Sequence, residues 1–325
     1  MSITLPTEMR ALAIHEGGLR EVSLPLPSLQ PGEVLIRVAY AGLNQADTMQ
    51  IAGDYAPPEG ASPLPGLEVS GWIVTAGHGF SAGQEVCALL SGGGFAEYVA
   101  VPAGQVLALP QRMDLQQAAT LPEAATTSVM ALVQEANLQP GERVLVHGGA
   151  SGLGILMTQI AKTLGAEVVA TVGTAEKAAK LQSLGIRAIN HTTEKYAEIL
   201  GPESVDVIID TLGGGEAATH LRLLKPHGRM VTLAMLKGGA LPDGFKMTRL
   251  LMNQLQWRGA MLRGKSTAQK AEIMQIVAER LWPALADGRI QPVVDSVFAL
   301  SDAKKALNRM QERLHMGKIL LEVAP

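Results

Sequence analysis

Residues Arg143–Gly154 read RVLVHGGASGLG, an apolar run of β type that breaks into a glycine-rich turn and leads straight into a helix-patterned segment. Val144–Val146 suits a buried parallel strand, and Gly148 and Gly149 suit a tight turn. Gly152 and Gly154 allow backbone amides and a helix start to approach a pyrophosphate. The helix pattern that follows, Ile155–Leu164, is apolar at 155, 156, 160 and 164, and Gly165 is a stop signal before the strand Glu167–Val172. The string departs from G-x-G-x-x-G, because Ser151 takes the middle glycine position and Gly152 is extra. Context identifies it: strand, turn, helix and strand follow one another within about 30 residues. Gly149, Ser151, Gly152 and Leu153 are the expected pyrophosphate cradle, the plainer alternative being a glycine-rich turn without ligand. Leu153 rules out the G-x-S-x-G nucleophile elbow.

The second strand carries the cofactor preference. An NAD enzyme places Asp or Glu about 20 residues beyond the glycines to bind the ribose hydroxyl. Here the strand ends Val172-Gly173-Thr174-Ala175-Glu176-Lys177. Gly173 and Thr174 put small groups at the tip, and Lys177 falls on the first turn of the next helix, where a cation meets a 2′-phosphate. The expected cofactor is NADPH; a merely solvated Lys177 is the plain alternative.

With 325 residues, 47% of them hydrophobic and 18% charged, the chain is long enough for two domains. A net charge of -3 with interspersed signs argues against nucleic acid or an acidic membrane as partner. The segment MSITLPTEMR lacks a cationic start followed by an apolar stretch, and no run reaches the ~18 apolar residues of a membrane span, so a cytoplasmic protein is expected. The single cysteine, Cys87, excludes a disulfide framework and lies in the apolar run Val86–Leu90, where it reads as a small buried hydrophobe.

Before residue 120 the pattern is β-rich and broken by Gly and Pro. From Leu121 onward helices alternate with apolar strands at Val144–His147, Glu167–Val172, Ala188–Asn190, Val205–Asp210, Arg229–Leu233 and Leu255–Met261, which fit a doubly wound parallel sheet. A helix over Lys270–Ala286 leads to β segments Val293–Phe298 and Lys318–Val323, around a helix starting near Ser301, that rejoin the first domain. The expectation is an α/β chain with a β-rich catalytic domain, residues 1–123 and 264–325, and a Rossmann domain, residues 124–263.

AGLNQADTMQIAGDY (41–55), LPGLEVSGWIV (64–74), VCALLSGGGFAEYVAVPAGQ (86–105), the HGGASGLG turn, GTAEK (173–177) and MGKILLEV (316–323) resemble the zinc-independent quinone oxidoreductases of the medium-chain dehydrogenase/reductase superfamily. The resemblance is strongest to the branch of the p53-inducible quinone oxidoreductase. It implies a chaperonin-10-like β core beside the Rossmann domain, NADPH-dependent quinone reduction, and a homodimer in which the edge strand Leu255–Met261 continues the sheet. In zinc-dependent relatives the segments matching Gly42–Asp47 and Gly66–Gly71 carry a cysteine and a histidine ligand; here those positions are Asn44 and Leu67. Zinc needs three or four converging ligands, Glu68 alone is not a site, and the seven histidines are dispersed, so no metal is expected.

Without metal or reactive cysteine, the expected chemistry is hydride transfer from nicotinamide C4, with the protein supplying orientation, desolvation and hydrogen bonds. A quinone suits this, because its reduced oxygens are stable phenolates that take protons from water. The resemblance puts Asn44 near the nicotinamide and the reacting oxygen as a neutral donor; otherwise it holds a loop. Tyr55 either lines the pocket and bonds a carbonyl oxygen or is an exposed loop residue. Thr127 bonds the carboxamide or a substrate oxygen, or caps a helix. Backbone at Leu212, Met235, Leu236 and Leu262 is implied beside the nicotinamide. Arg263 reaches the 2′-phosphate or faces solvent, and His191, where relatives commonly have Tyr, bonds that phosphate more weakly once neutral above its pKa of about 6.5. Ala124, Ala125 and Thr126 stand where close relatives carry two aromatics, implying a roomier pocket. Two other functions compete: an NADPH-dependent enone or 2-alkenal reductase, which must protonate carbon, and an NADPH-binding redox sensor without significant turnover.

Overall fold

Val144, Leu145 and Val146 are fully buried, as a strand covered by helices on both faces requires. They belong to a computed structural model that describes residues 5–110 and 112–324. In chain order its strands are β1 (Glu8–His15), β2 (Gly18–Pro25), β3 (Glu33–Leu43), β4 (Glu68–Ile73), β5 (Glu85–Leu89), β6 (Tyr98–Pro102), β7 (Val106–Ala108), β8 (Arg143–Val146), β9 (Glu167–Val172), β10 (Arg187–Asn190), β11 (Val205–Asp210), β12 (Leu224–Thr232), β13 (Gln256–Gly259), β14 (Val294–Ala299) and β15 (Lys318–Glu322). The described residues divide into two units: one within Met1–Thr126, Arg263–Gly288 and Pro292–Pro325, the other Thr127–Leu262 with Arg289–Gln291. The first break thus falls after Thr126 rather than after residue 123, inside the helix Pro122–Val129. The short return Arg289–Gln291 joins the second unit, where Gln291 exchanges two hydrogen bonds with Gln159, at 2.8 and 3.0 Å.

The second unit is a parallel sheet in the order β10-β9-β8-β11-β12-β13, the doubly wound arrangement in which the direction of travel reverses between β8 and β11. Helices Gly152–Thr163 and Ala175–Ser183 supply crossovers on the β8 side. β12 begins at Leu224, earlier than the apolar pattern suggested, because its first turn of sequence, Lys225-Pro226-His227-Gly228, is polar and the register with β11 shifts between Val205 and Val207. β13 is an edge strand, paired with β12 alone among the described strands.

In the first unit β14-β15-β3-β4-β5-β7 form one sheet with β6 added along β3, and β1 and β2 pair as a hairpin. Inward-facing residues such as Ile36, Val38, Val69, Val86, Phe95, Ile319 and Leu321 build its core. The 20-residue helix Thr267–Ala286 starts in a capping box made by Ser266 and Gln269. No described helix is long and apolar enough to cross a membrane.

The helix Gly152–Thr163 lies so close to the turn before it that a Cβ at Gly154 would overlap the Gly148 carbonyl and Gly149. Gly154→Ala is therefore expected to cost about 1–3 kcal/mol by overpacking. Denaturant melts check this, and an unchanged midpoint would contradict the close approach.

Candidate functional site

In the second unit the glycine turn is shaped for an anion. Gly148 takes a left-handed φ of 69°, and Ser151 caps the helix by accepting the Gly154 N–H at 3.0 Å. Gly152 and Leu153 then occupy the first helical turn, whose N–H groups have no intrahelical acceptor by geometry. A Cβ at Gly149 would meet Ala170 Cβ at 2.6 Å and Leu181 Cδ1 at 3.0 Å, so the turn is pressed onto β9 and its helix. These features fit a dinucleotide pyrophosphate.

The pairing Asn190↔Val172 brings Gly173 and His191 side by side at the ends of β9 and β10. Thr174 caps the next helix by accepting the Lys177 N–H at 3.2 Å, which holds Lys177 on the first turn at the same edge. His191 is held below the usual histidine range by partial burial and by the charge of Lys237, so it is neutral at neutral pH. Leu212 is fixed by its N–H to Asp210 Oδ1 at 2.8 Å, and Leu236 by its N–H to the Thr211 carbonyl at 3.1 Å. Met235 and Leu236 are exposed, whereas Leu262 is buried.

Beneath these tips lies a polar belt that sequence reading missed. His147 Nδ1 meets Thr171 Oγ1 at 2.9 Å, its ring stacks on His220 at 4.7 Å, and the Tyr196 ring stands edge-on to it at 5.3 Å. Asp210 Oδ2 accepts from Thr232 Oγ1 at 3.0 Å, and Trp257 donates to the same hydroxyl at 3.0 Å. Burial pushes His147 well below the usual range, reinforced by His220, His191 and Lys237; burial also lowers His220, against Asp210 and Glu216. Both rings are neutral at neutral pH.

In the first unit, Asn44 follows β3 and precedes the helix Gln45–Ala52. Its side chain accepts from Lys318 Nζ at 2.5 Å and donates to Glu68 Oε1 at 2.9 Å. Lys318 also pairs with Glu68, whose other oxygen accepts the Glu123 N–H at 2.9 Å. Asp47 is fully buried and accepts the N–H groups of Gly66 at 2.9 Å and Asn44 at 2.8 Å. Burial nevertheless pushes its carboxyl up to about 6. Burial, with the charge of Glu68, pushes Glu123 up to about 7.

Tyr55 is half-buried, and its ring lies 5.2 Å from the Arg263 guanidinium. Arg263 corrects the expectation that it reaches a phosphate or faces solvent. It is buried in the first unit and donates to the Ser91 carbonyl at 2.9 and 3.1 Å and to Gln50 Oε1 at 2.6 Å. The reason is position: Arg263 begins the chain's return to that unit, and a buried guanidinium must spend its donors there. Thr127 is buried in the sixth position of the helix Pro122–Val129, so it is not a helix cap. Ala124, Ala125 and Thr126 are buried as well, and Thr126 Oγ1 bonds the Pro122 carbonyl at 2.5 Å with Met274 Sδ 3.1 Å away.

Known proteins share the fold. Residues 30–111 match the alcohol dehydrogenase GroES-like domain, and residues 152–279 match the zinc-binding dehydrogenase family. The human synaptic vesicle membrane protein VAT-1 homolog is 33% identical over 321 residues, spanning 92% of this chain and 81% of that protein. The quinone oxidoreductase from Thermus thermophilus, solved also in complex with NADPH, superposes with a TM-score of 0.80 at 30% identity, covering 97% of this chain and 100% of that one. The CurK enoyl reductase superposes at 0.85 with 28% identity, covering 98% and 100%. The chain belongs to the medium-chain dehydrogenase/reductase superfamily and is built as its oxidoreductases are.

The family description implies zinc, and the residues here do not fit it. Asn44 has its oxygen on an ammonium, Leu67 is buried and apolar, and Glu68 is already bound by Lys318, Asn44 and the Glu123 N–H. Among the described residues no group of three or more His, Cys, Asp or Glu is placed to hold a metal ion. Elemental analysis is expected to find no stoichiometric zinc; about one zinc per chain would overturn this reading of the donor set. Cys87 is buried, with its thiol pushed up by burial, and is expected to resist thiol reagents at mildly alkaline pH until the protein is denatured.

Proposed function

We propose that the chain is an NADPH-dependent quinone oxidoreductase working by metal-free hydride transfer, in the branch of the p53-inducible quinone oxidoreductase. The observation that carries the cofactor reading is the β8 turn joined to a β9 tip that has Lys177 and no acidic group at the ribose position. The solved quinone oxidoreductase with NADPH supports it. NADPH bound there supplies a hydride from nicotinamide C4. The helix start at Ser151–Leu153 holds the pyrophosphate, Lys177 the 2′-phosphate with His191 as a neutral donor beside it, and Gly173, Thr174, Leu212, Met235, Leu236 and Leu262 shape the rest of the cofactor site. Asn44 donates from Nδ2 to a quinone oxygen, Tyr55 orients the second oxygen, and Thr127 bonds the carboxamide. Two electrons and one hydrogen pass to the quinone, whose phenolate takes a proton from water.

A cytoplasmic location, supported by the single cysteine and the mixed surface charge, and a homodimer joined along β13 belong to the same reading. The exposed Met247, Leu251 and Met252, in and beside the helix Thr248–Met252 just before β13, support the dimer, because exposed apolar groups clustered together mark an interaction surface. Light scattering is expected to give the dimer mass at micromolar concentration, and a strict monomer would refute it.

Glu123 favours a second reading, an enone reductase, which needs an acid to protonate carbon. A carboxyl pushed up to about 7 is such an acid, and an enoyl reductase is among the similar structures. A steady-state NADPH oxidation screen over ortho-quinones, para-quinones and enones separates the two. Quinones are expected to be the better substrates, with a rate little affected by Glu123→Gln. If enones win, their kcat/KM must fall above pH ~7 as Glu123 ionises, and Glu123→Gln must cost about 10²–10⁴-fold. Tight NADPH binding without turnover of any acceptor would instead identify a redox sensor.

Lys177→Glu is expected to weaken NADPH binding roughly 10- to 100-fold, the size of one charge-assisted phosphate contact, and to spare NADH. Equal losses would remove Lys177 from the 2′-phosphate. Tyr55→Phe is expected to lower kcat/KM only modestly, by about 1 kcal/mol for an orienting hydrogen bond, with 4-deuterated NADPH reporting the hydride step. A thousandfold loss would make Tyr55 the acid.

A further inference from the structure

The sheet of the first unit places a lysine where the sequence motifs direct attention to an asparagine. β15 pairs with β3 in the register Ile319↔Leu43 and Leu320↔Gly42, so Lys318 stands opposite Asn44. On the other side of β3 the register Ala41↔Val69 sets Glu68 opposite Gly42. Gly42 has no side chain, and a Cβ there would collide with the Glu68 carboxylate. That gap lets Glu68 lean across the middle strand to the Lys318 ammonium on the far one.

The Asn44 amide is therefore caught between a cation and an anion. Its oxygen accepts from Lys318 Nζ at 2.5 Å, its nitrogen donates to Glu68 Oε1 at 2.9 Å, and a longer contact of 3.4 Å reaches the Gly42 carbonyl. An ammonium has only donors and a carboxylate only acceptors, so a flipped amide would set NH₂ against NH₃⁺ and oxygen against oxygen. One orientation is allowed. A cation on the amide oxygen also draws electron density from the nitrogen and strengthens its N–H donors, of which the one 3.4 Å from the Gly42 carbonyl is the more weakly held and the one a ligand can take.

We propose that Lys318 is a positioning residue that locks the Asn44 amide so that its Nδ2 donor, never its oxygen, faces a bound molecule, selecting ligands with an acceptor oxygen at that point. The ligand class is a carbonyl or quinone oxygen; a group with donors only, such as a protonated amine, is refused. The inference rests on the proposed placement of Asn44 at the substrate.

Two readouts test it. In ¹⁵N-labelled protein the Asn44 Nδ2 signals, assigned by their loss in Asn44→Ala, are expected to move in Lys318→Met and to return toward their native position in Lys318→Arg. Because Lys318→Met alone leaves a buried carboxylate without its cation, Lys318→Met/Glu68→Gln is measured beside it, with folding checked by circular dichroism. In that double variant kcat/KM for a para-quinone should fall about tenfold, the worth of one charge-assisted hydrogen bond, at unchanged KM for NADPH. In an Asn44→Ala background the same substitutions should cost nothing further.

Unmoved Nδ2 signals overturn the lock whatever the kinetics. The full loss persisting in the Asn44→Ala background overturns it too, because Lys318 would then act through folding alone. Moved signals with unchanged quinone turnover overturn the selection, and with it the placing of Asn44 at the substrate. If the wild-type protein reduces no quinone, the proposed function fails, and the signals alone decide the lock.

Discussion

A lysine and a glutamate buried to 4% and 0% exposure, on strands that do not touch each other, constrain the first unit more than any apolar contact does. Each charge would be costly in the interior without the other, and removing one partner of such a pair typically costs about 3–5 kcal/mol. Meeting that demand requires β15, β3 and β4 in fixed register and a glycine on the strand between them. Glu68 then has an oxygen left over, which takes the Glu123 N–H and ties the start of the helix Pro122–Val129 to the sheet. Lys270 and Arg263 form the neighbouring anchor: Lys270 Nζ donates to Ser91 Oγ at 2.7 Å and to the Arg263 carbonyl at 2.8 Å. Fixed loops and Asn44 follow from satisfied buried charge.

The second unit solves a different problem. Its strands are parallel and covered on both faces, so the buried polar side chains of the strands gather at their carboxyl ends, the edge at which open α/β sheets bind ligands. Thr171, His147, Asp210 and Thr232 stand at the carboxyl ends of four adjacent strands, and His220, stacked on His147 and 3.8 Å from Asp210, joins them into a belt across the sheet just under the dinucleotide turn. Neutral histidines suit that position. A charged ring under a turn shaped for a pyrophosphate would have to be desolvated with no neutral-pH partner close enough, since His220 Nδ1 stays 3.8 Å from Asp210.

The contrast explains what could be read from the sequence. The strands β8 to β11, the glycine turn and the Thr174–Lys177 tip are local patterns, each contained in a short window, and the chain displays them in order. The polar start of β12 escaped because pairing rather than hydropathy makes it strand, and the strand expected over Leu255–Met261 is present but shorter, Gln256–Gly259. The first unit's site is non-local: Lys318 lies 274 positions from Asn44 and 250 from Glu68, and nothing in MGKILLEV taken alone marks its lysine as buried. Alternation did contain a clue. Lys318 shares a strand face with Leu320, which is fully buried, so a lysine two residues before it needed an acidic partner. Arg263 was misread for the converse reason, since a charged residue after an edge strand resembles a surface group until the chain's return into the first unit is known.

The same charges bear on which chemistry the site favours. Burial raises Glu123 and Asp47 most; Glu68 raises both further and Lys318 lowers both, so the ion pair adjusts two neighbouring carboxyls that burial has already shifted. Quinone reduction needs only donors for the oxygens, the role proposed for Asn44. Enone reduction needs a proton delivered to carbon, for which a carboxyl near 7 is suited and a carboxyl in its ordinary range is not. Burial holds Glu123 near 7, so modest changes in its surroundings would move it between proton donor and bystander. On the proposed reading, substrate class turns on whether Glu123 holds a proton, which burial chiefly decides, with no change needed in the cofactor turn.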